Sequence, residues 1–135
     1  MTDLLNKQDV LDTAWVCLPL PHTSLSPNKP IYSRGGRINK AKQAKKCKGI
    51  SKAYVEQMGL DLPWGKVRVW YKFFHKLKRS RDDDNYIAMM KAYRDGIVQA
   101  GLVPDDSSEF WVTGGAKFDI DREDPRVEIL LERLQ

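Results

Sequence analysis

The sequence predicts an α+β domain of two layers, a mixed sheet of about four strands covered by two main helices, in the order strand, helix, strand, helix, strand, strand. Residues 66–76, KVRVWYKFFHK, alternate apolar and polar side chains with the two-residue period of a strand. Two longer stretches, about 37–59 and about 84–100, repeat apolar residues every three or four positions, the spacing of a helix with one side on a core. At 135 residues and 41% hydrophobic, the chain is long enough to close one core without disulfides or metals. Residues 1–135 therefore read as a single domain, with 1–12 as a peripheral N-terminal extension.

The elements follow in order. Residues 14–20, AWVCLPL, form a short buried strand. PHTSLSPNKPIYSRGG is turn-rich, with Pro21, Pro27, Pro30 and the Gly35–Gly36 pair as breakers. In the first helix Cys47, Ile50, Tyr54, Val55 and Met58 recur at helical spacing, and Lys45, Lys48 and Lys52 fall on another face. GLDLPWG breaks the chain before the alternating strand. There Val67, Val69, Tyr71 and Phe73 share one side, and Arg68, Trp70, Lys72, Phe74 and Lys76 the other. The second helix runs from Asp84 or Asn85 to about Ala100, its core stripe made of Tyr86, Met89, Met90, Tyr93, Ile97 and Ala100, and Gly101 stops it. Residues 109–119 form a strand with a bulge or bend at Gly114–Gly115. After the DREDP turn, RVEILLERL closes the chain as a strand or a short helix.

Charge is sharply segregated. Residues 29–81 hold sixteen Lys or Arg against Glu56 and Asp61, whereas residues 82–135 hold thirteen acids against six bases. The basic block is the footprint expected of a protein that holds nucleic acid or another polyanion; a solvated lysine-rich helix is the plainer alternative. No apolar run approaches the roughly 20 residues that cross a bilayer, and MTDLLNKQDV lacks the flank and apolar stretch of a secretory signal. A cytoplasmic protein with free thiols at Cys17 and Cys47 and no membrane partner is expected.

Against this background, Asp82, Asp83 and Asp84 directly follow the cationic run KLKRSR. Capping of a helix N-terminus explains one or two of them. A cap does not need three acids, nor the later pair Asp105–Asp106, and the functional reading is a hard-cation site. Mg²⁺ takes carboxylate oxygens, keeps several waters, and is commonly held by one or two carboxylates plus substrate phosphates. On an extended lead-in Asp82 and Asp84 point one way and Asp83 the other. A 16-residue helix is about 24 Å long, so only a return of the following loop brings Asp106 near them. Lys91, seven residues after Asp84, falls at nearly the same azimuth and leans back toward the helix start.

The elements RDDDN, KAYRDGI, QAGL and PDD, in that order and at near-matching spacing, resemble the RusA-type Holliday junction endonucleases, a largely phage- and prophage-borne family. The N-terminal part is similar too: a strand ending in LPLP, a loop with Asn28, then a basic helix. The likeness spans roughly residues 14–133, with the specific motifs in the last two-thirds. It implies metal ligands at Asp82, Asp84 and Asp106, with Lys91 as the fourth catalytic residue. YIAMM between Asn85 and Lys91 is about three residues longer than in shorter members. That shifts the lysine by about 4.5 Å along the helix, and Ala88 stands where the shorter spacing would place it.

What the resemblance implies is a Mg²⁺-dependent crossover junction endodeoxyribonuclease, with Mn²⁺ as a substitute metal. It would act as a homodimer on branched DNA, resolving four-way junctions by paired symmetric nicks in recombination and repair, in a bacterial cytoplasm under phage or prophage control. Lys45, Lys48, Lys52, Arg68, Lys72, Lys76, Lys78, Arg79 and Arg81 are the expected DNA contacts. Two other readings remain: a non-catalytic basic DNA-binding phage protein, regulatory or architectural, and an unrelated metal-dependent phosphatase or nuclease on linear substrates. Cys17, His22, Cys47 and His75 lack the spacing of a zinc site. His75 is expected at the surface or on the DNA side. Trp70 and Phe74 are candidates for stacking on unpaired bases, or for a face covered by a helix or a second subunit.

Overall fold

The structure, a computed structural model, describes residues 10–27 and 33–135. The chain runs β1 (Asp12–Leu18), a 3-10 turn (Thr23–Leu25), α1 (Arg34–Gln57), β2 (Val67–His75), α2 (Asp83–Met89), α3 (Lys91–Gln99), β3 (Trp111–Ile120) and β4 (Arg126–Arg133). This is the expected α+β order, with a mixed four-stranded sheet ordered β1-β4-β2-β3. β4 is antiparallel to both neighbours, and β2 and β3 are parallel, joined by the α2–α3 crossover. Residues 1–9 of the expected extension, and Asn28, lie outside the described residues; β1 begins at the extension's last residue, Asp12.

Alternation along the strands builds one buried face. Val16 on β1, Val67, Val69 and Phe73 on β2, and Val127, Ile129 and Leu131 on β4 are all fully shielded. Tyr93, Ile97 and Leu102 cover them from the helical side. The division of β2 into an inward set and an outward set is as its sequence alternation predicts, and RVEILLERL resolves to a strand.

α1 starts three residues before its expected boundary. Ser33, in extended backbone, caps it by accepting a hydrogen bond from Gly36 N at 3.0 Å, so Gly35 and Gly36 lie in the first helical turn and do not break it. α1 and α3 then cross at near-backbone contact. A Cβ on Gly96 would land on Ser51 Oγ and the Lys48 carbonyl oxygen. Ser51 Oγ donates to the Tyr93 carbonyl at 2.8 Å, and Tyr93 OH donates to the Pro19 carbonyl at 2.7 Å, tying α3 to the end of β1.

The expected second helix is interrupted once. Met90 has ψ −1°, and its N–H donates to the Ile87 carbonyl at 3.0 Å, a tightened 3-10-type turn. Met89 and Met90 are both buried. Met90, at the tight turn, belongs to the main core cluster. Gly101, at φ +97°, ends α3 as expected.

The glycine pair of β3 makes the predicted bulge. Thr113 pairs with Val69, Gly115 pairs with Trp70, and Gly114 is the extra residue. Trp111 before the bulge and Ala116 and Phe118 after it consequently all face the helices. Gly114 is also covered by the Trp70 indole; a Cβ there would sit 2.6 Å from ring atoms.

Candidate functional site

α2 begins where β2 ends, and its start gathers the acids. Asp82 is the N-cap: its Oδ1 accepts from Asp84 N at 3.0 Å and from Asn85 N at 3.5 Å. The capping reading is therefore realised for Asp82, with one oxygen engaged. Asp83 and Asp84 stand exposed in the first turn. Among the described residues, no hydrogen bond or ion pair engages the Asp84 carboxylate. Asn85 fixes this turn from the other side, accepting from Ser26 Oγ at 2.8 Å and so linking the segment after β1 to the helix start.

The loop that leads into α2 is cationic, with Lys76, Lys78 and Arg79 exposed. Arg81 has a different task. It donates to Tyr86 OH and to the Leu77 carbonyl, both at 2.9 Å, and lies over the Tyr86 ring, folding the loop back onto α2. Two of the other expected DNA contacts are matched within the chain: Arg68 with Glu132 at 2.8 Å and Lys72 with Asp119 at 3.9 Å. Lys45 is exposed on α1, and Lys48 and Lys52 are half-buried there.

Asp106 lies on the return segment between α3 and β3. Because β2 and β3 are parallel, that segment is at the opposite end of the crossover from Asp82 and Asp84. Its carboxylate is drawn part of the way back by Arg94 of α3, at 3.3 Å. Arg94 is ten residues after Asp84, about 15 Å along a continuous helix, and helical side chains lean toward the N-terminus. Asp105 instead closes a turn, accepting from Ser107 N at 2.8 Å, and its Ser107 hydrogen bonds hold its carboxyl below the usual range. Lys91 is exposed as the first residue of α3, just beyond the Met90 turn. The structure thus places Asp82 and Asp84 in one exposed first turn beside the basic loop, where helical backbone from Asp83 onward replaces the extended lead-in that would have aligned their side chains, and leaves Asp106 apart with Arg94. Among the described residues, no three His, Cys, Asp or Glu side chains stand together as a metal-holding group.

The donor chemistry nevertheless suits a hard cation. Two exposed carboxylates with unused oxygens in one helical turn match the one or two protein ligands that Mg²⁺ takes when a phosphate supplies the rest. Arg94 is the residue missing from the sequence reading. Its contact with Asp106 joins positions twelve apart through a folded loop, and no local pattern encodes that. Asp83, the first helical residue, lines the open cleft of about 940 Å³ that includes Lys72 and Lys117.

His75 corrects the surface expectation. It is buried, 9% exposed, between Phe73, Phe118 and Tyr86, with ring centroids 6.3, 6.1 and 5.2 Å away. The strand's parity explains this: His75 shares the inward side of Val67, Val69, Tyr71 and Phe73. Burial, with smaller contributions from Arg81 and Arg79, pulls its pKa from the ordinary 6.5 down to about 4. The folded chain therefore binds fewer protons than the unfolded chain between these values. Stability is fully present above about pH 6.5 and falls toward pH 4, by at most about 1.4 kcal/mol per pH unit. Urea titrations at pH 7.5, 6 and 5 should show this slope, and His75→Phe should flatten it; an equal slope in that variant would assign the loss to other groups. Cys17 and Cys47 are free thiols on opposite sides of the sheet.

No protein-family model matches the chain. A protein of Xylella fastidiosa (strain Temecula1 / ATCC 700964), described as uncharacterized, is 33% identical to it over 87 residues, covering 62% of this chain and 54% of the relative. The chain thus spans about half the length of that relative. No helix among the described residues is long and apolar enough to cross a membrane.

Proposed function

We propose that this chain is a Mg²⁺-dependent, structure-specific endodeoxyribonuclease that resolves four-way DNA junctions by paired symmetric nicks, acting as a homodimer in DNA recombination and repair in a phage-bearing bacterial cytoplasm. The observation that carries the reading is the presence of Asp82 and Asp84 in one exposed first helical turn that follows Lys76, Lys78 and Arg79. Beyond the helix cap that Asp82 supplies, a protein that only binds DNA has no use for carboxylates that repel its ligand. Carboxylates beside a phosphate track are useful when a divalent cation is shared between the two.

Each group then has a task. The basic loop, with Lys45, Lys48 and Lys52 as further phosphate contacts, draws in the backbone without reading sequence. Asp82 and Asp84 would hold Mg²⁺ or Mn²⁺; Asp106 is the third expected ligand and Lys91 the cation that offsets charge at the reacting phosphate. When bound, the metal would lower the pKa of a water nucleophile and stabilise the leaving 3′ oxygen. Arg94 pairs with the Asp106 carboxylate on the return loop, apart from Asp82 and Asp84, and Asn85 fixes the orientation of the turn that carries Asp84.

The test is nicking of four-way, flap and linear duplex DNA with Mg²⁺, Mn²⁺ or EDTA. Junction nicking should appear with either metal and vanish with EDTA. Equal rates on linear duplex would favour a general phosphodiesterase. Tight binding with no cleavage in either metal would instead establish a basic DNA-binding protein, the second reading, which the charge segregation alone also supports.

A further inference from the structure

Trp70 lies on the outward side of the sheet, and its indole is held flat. Gly114 beneath it has no side chain; a Cβ there would sit 2.6 Å from Cδ2 and Cε2 of the ring. The ring nitrogen donates to Glu132 Oε1, which also accepts from Arg68 Nε at 2.8 Å. The indole thus rests on bare backbone, cannot rotate without breaking a hydrogen bond, and leaves the residue 38% exposed. We infer that this fixed indole is a stacking platform for an unpaired base of single-stranded DNA, with Lys117 taking an adjoining phosphate.

Three features select this occupant. The first is the ring. Phe74 is on the same side of β2, but Arg126 lies 3.9 Å from its centroid and Lys72 5.1 Å, so that ring is already covered. Trp70 offers a pre-oriented aromatic face, which suits any base because every base has a π-face. A duplex keeps its bases stacked on one another, so only an unpaired base can use it. The second is charge. Arg68 is matched by Glu132 and Lys72 by Asp119. Lys117 is exposed and has no hydrogen-bond or ion-pair partner among the described residues. One spare cation beside an aromatic platform fits a single nucleotide, whereas the closely spaced phosphates of a duplex call for a row of cations.

The third is continuity. The open cleft of about 940 Å³ takes in Trp70, Gly114, Lys117 and Asp83. Asp83 stands between Asp82 and Asp84, so the cleft reaches the turn that carries the candidate metal ligands. The same cleft includes Trp15, 57% exposed, two strand spacings from Trp70 with Leu130 between them. Those spacings amount to roughly 10 Å. A strand leaving the acidic turn therefore has a track over β3 and β2, with an indole on the way and a second beyond it. That the strand is DNA rests on the nuclease reading; the stacking platform itself does not.

The test uses the full chain in EDTA, with a fluorescein-labelled thymidine pentanucleotide and an abasic phosphodiester strand of the same length and charge. The wild-type chain should bind the base-bearing strand about tenfold more tightly, the margin that one stacked base supplies. Trp70→Leu should erase that margin, and Trp70→Phe should keep most of it. Lys117→Ala should weaken both strands alike, keep the margin, and lower the salt slope of binding by about 0.7, the share of one phosphate contact. Lys117 has no described partner, so its readout stands even where far-UV circular dichroism shows that Trp70→Leu fails to fold. Equal binding of the two strands by the wild-type chain, or a margin that survives in folded Trp70→Leu, overturns the platform. An unchanged slope in Lys117→Ala overturns the phosphate contact. Equal binding together with a dimer that Trp70→Leu dissociates gives the face to a second copy and overturns the inference. Base preference without nicking would overturn the nuclease reading alone; nicking without base preference overturns this inference alone.

Discussion

Asp82→Asn should reduce junction nicking by about a thousandfold or more while leaving the fold and DNA binding in place. The Asp82 side chain does two things at once, and the amide separates them. Asn caps a helix about as well as Asp, so the bonds to Asp84 N and Asn85 N survive. The charge that would hold a cation is lost, and a missing metal removes both water activation and leaving-group stabilisation. Asp82→Ala removes the cap as well and should add about 1 kcal/mol of destabilisation. Thermal melts of the two variants beside a nicking assay check this. An Asp82→Asn chain that nicks at the wild-type rate would leave Asp82 with its cap alone and withdraw the metal assignment. Asp84→Asn, whose carboxylate has no described partner, should lose activity with no change in melting.

Two glycines on facing helices should respond with opposite sign. Gly49→Ala on α1 should stabilise by about 1 kcal/mol: its Cβ would meet nothing within 4 Å, and Ala is the better helix former. Gly96→Ala on α3 gains the same propensity, yet its Cβ would land on Ser51 Oγ and the Lys48 carbonyl. One of those is the far end of a small side chain, but the other is backbone, so the helices must separate. That separation also strains the Ser51 to Tyr93 hydrogen bond. Overpacking of this kind costs about 3 kcal/mol, leaving a net loss of about 2 kcal/mol. Chemical denaturation of both variants decides the matter, and stabilisation by Gly96→Ala would show that the crossing is loose.

Strands announce themselves through a two-residue period, and Val67 to Phe73 were legible for that reason. The bulge was legible as well, because paired glycines inside a strand have few other uses. The Met90 interruption was hidden, because YIAMMKAYRDGI keeps acceptable helical spacing throughout. His75 was open to parity but was read by its lysine neighbours. Within the candidate site, Asp82 and Asp84 could be placed because they are local to one turn. The Arg94–Asp106 contact could not, since it depends on how the segment after Gly101 folds back. Strand order, and with it the uncovered side of the sheet, comes from non-local pairing that no window of sequence contains.

The extra residue in β3 acts as a phase corrector. Ahead of it the strand is in step with Val67 and Val69, and beyond it Phe118 is in step with Phe73, their rings 5.4 Å apart. If all of β3 paired without the bulge, with Gly114 opposite Trp70, the distal half of the strand would be inside out, with Lys117 and Asp119 turned toward Tyr86 and His75 and Phe118 turned to water. The motif tolerates substitution at Gly114 poorly because of the indole above it.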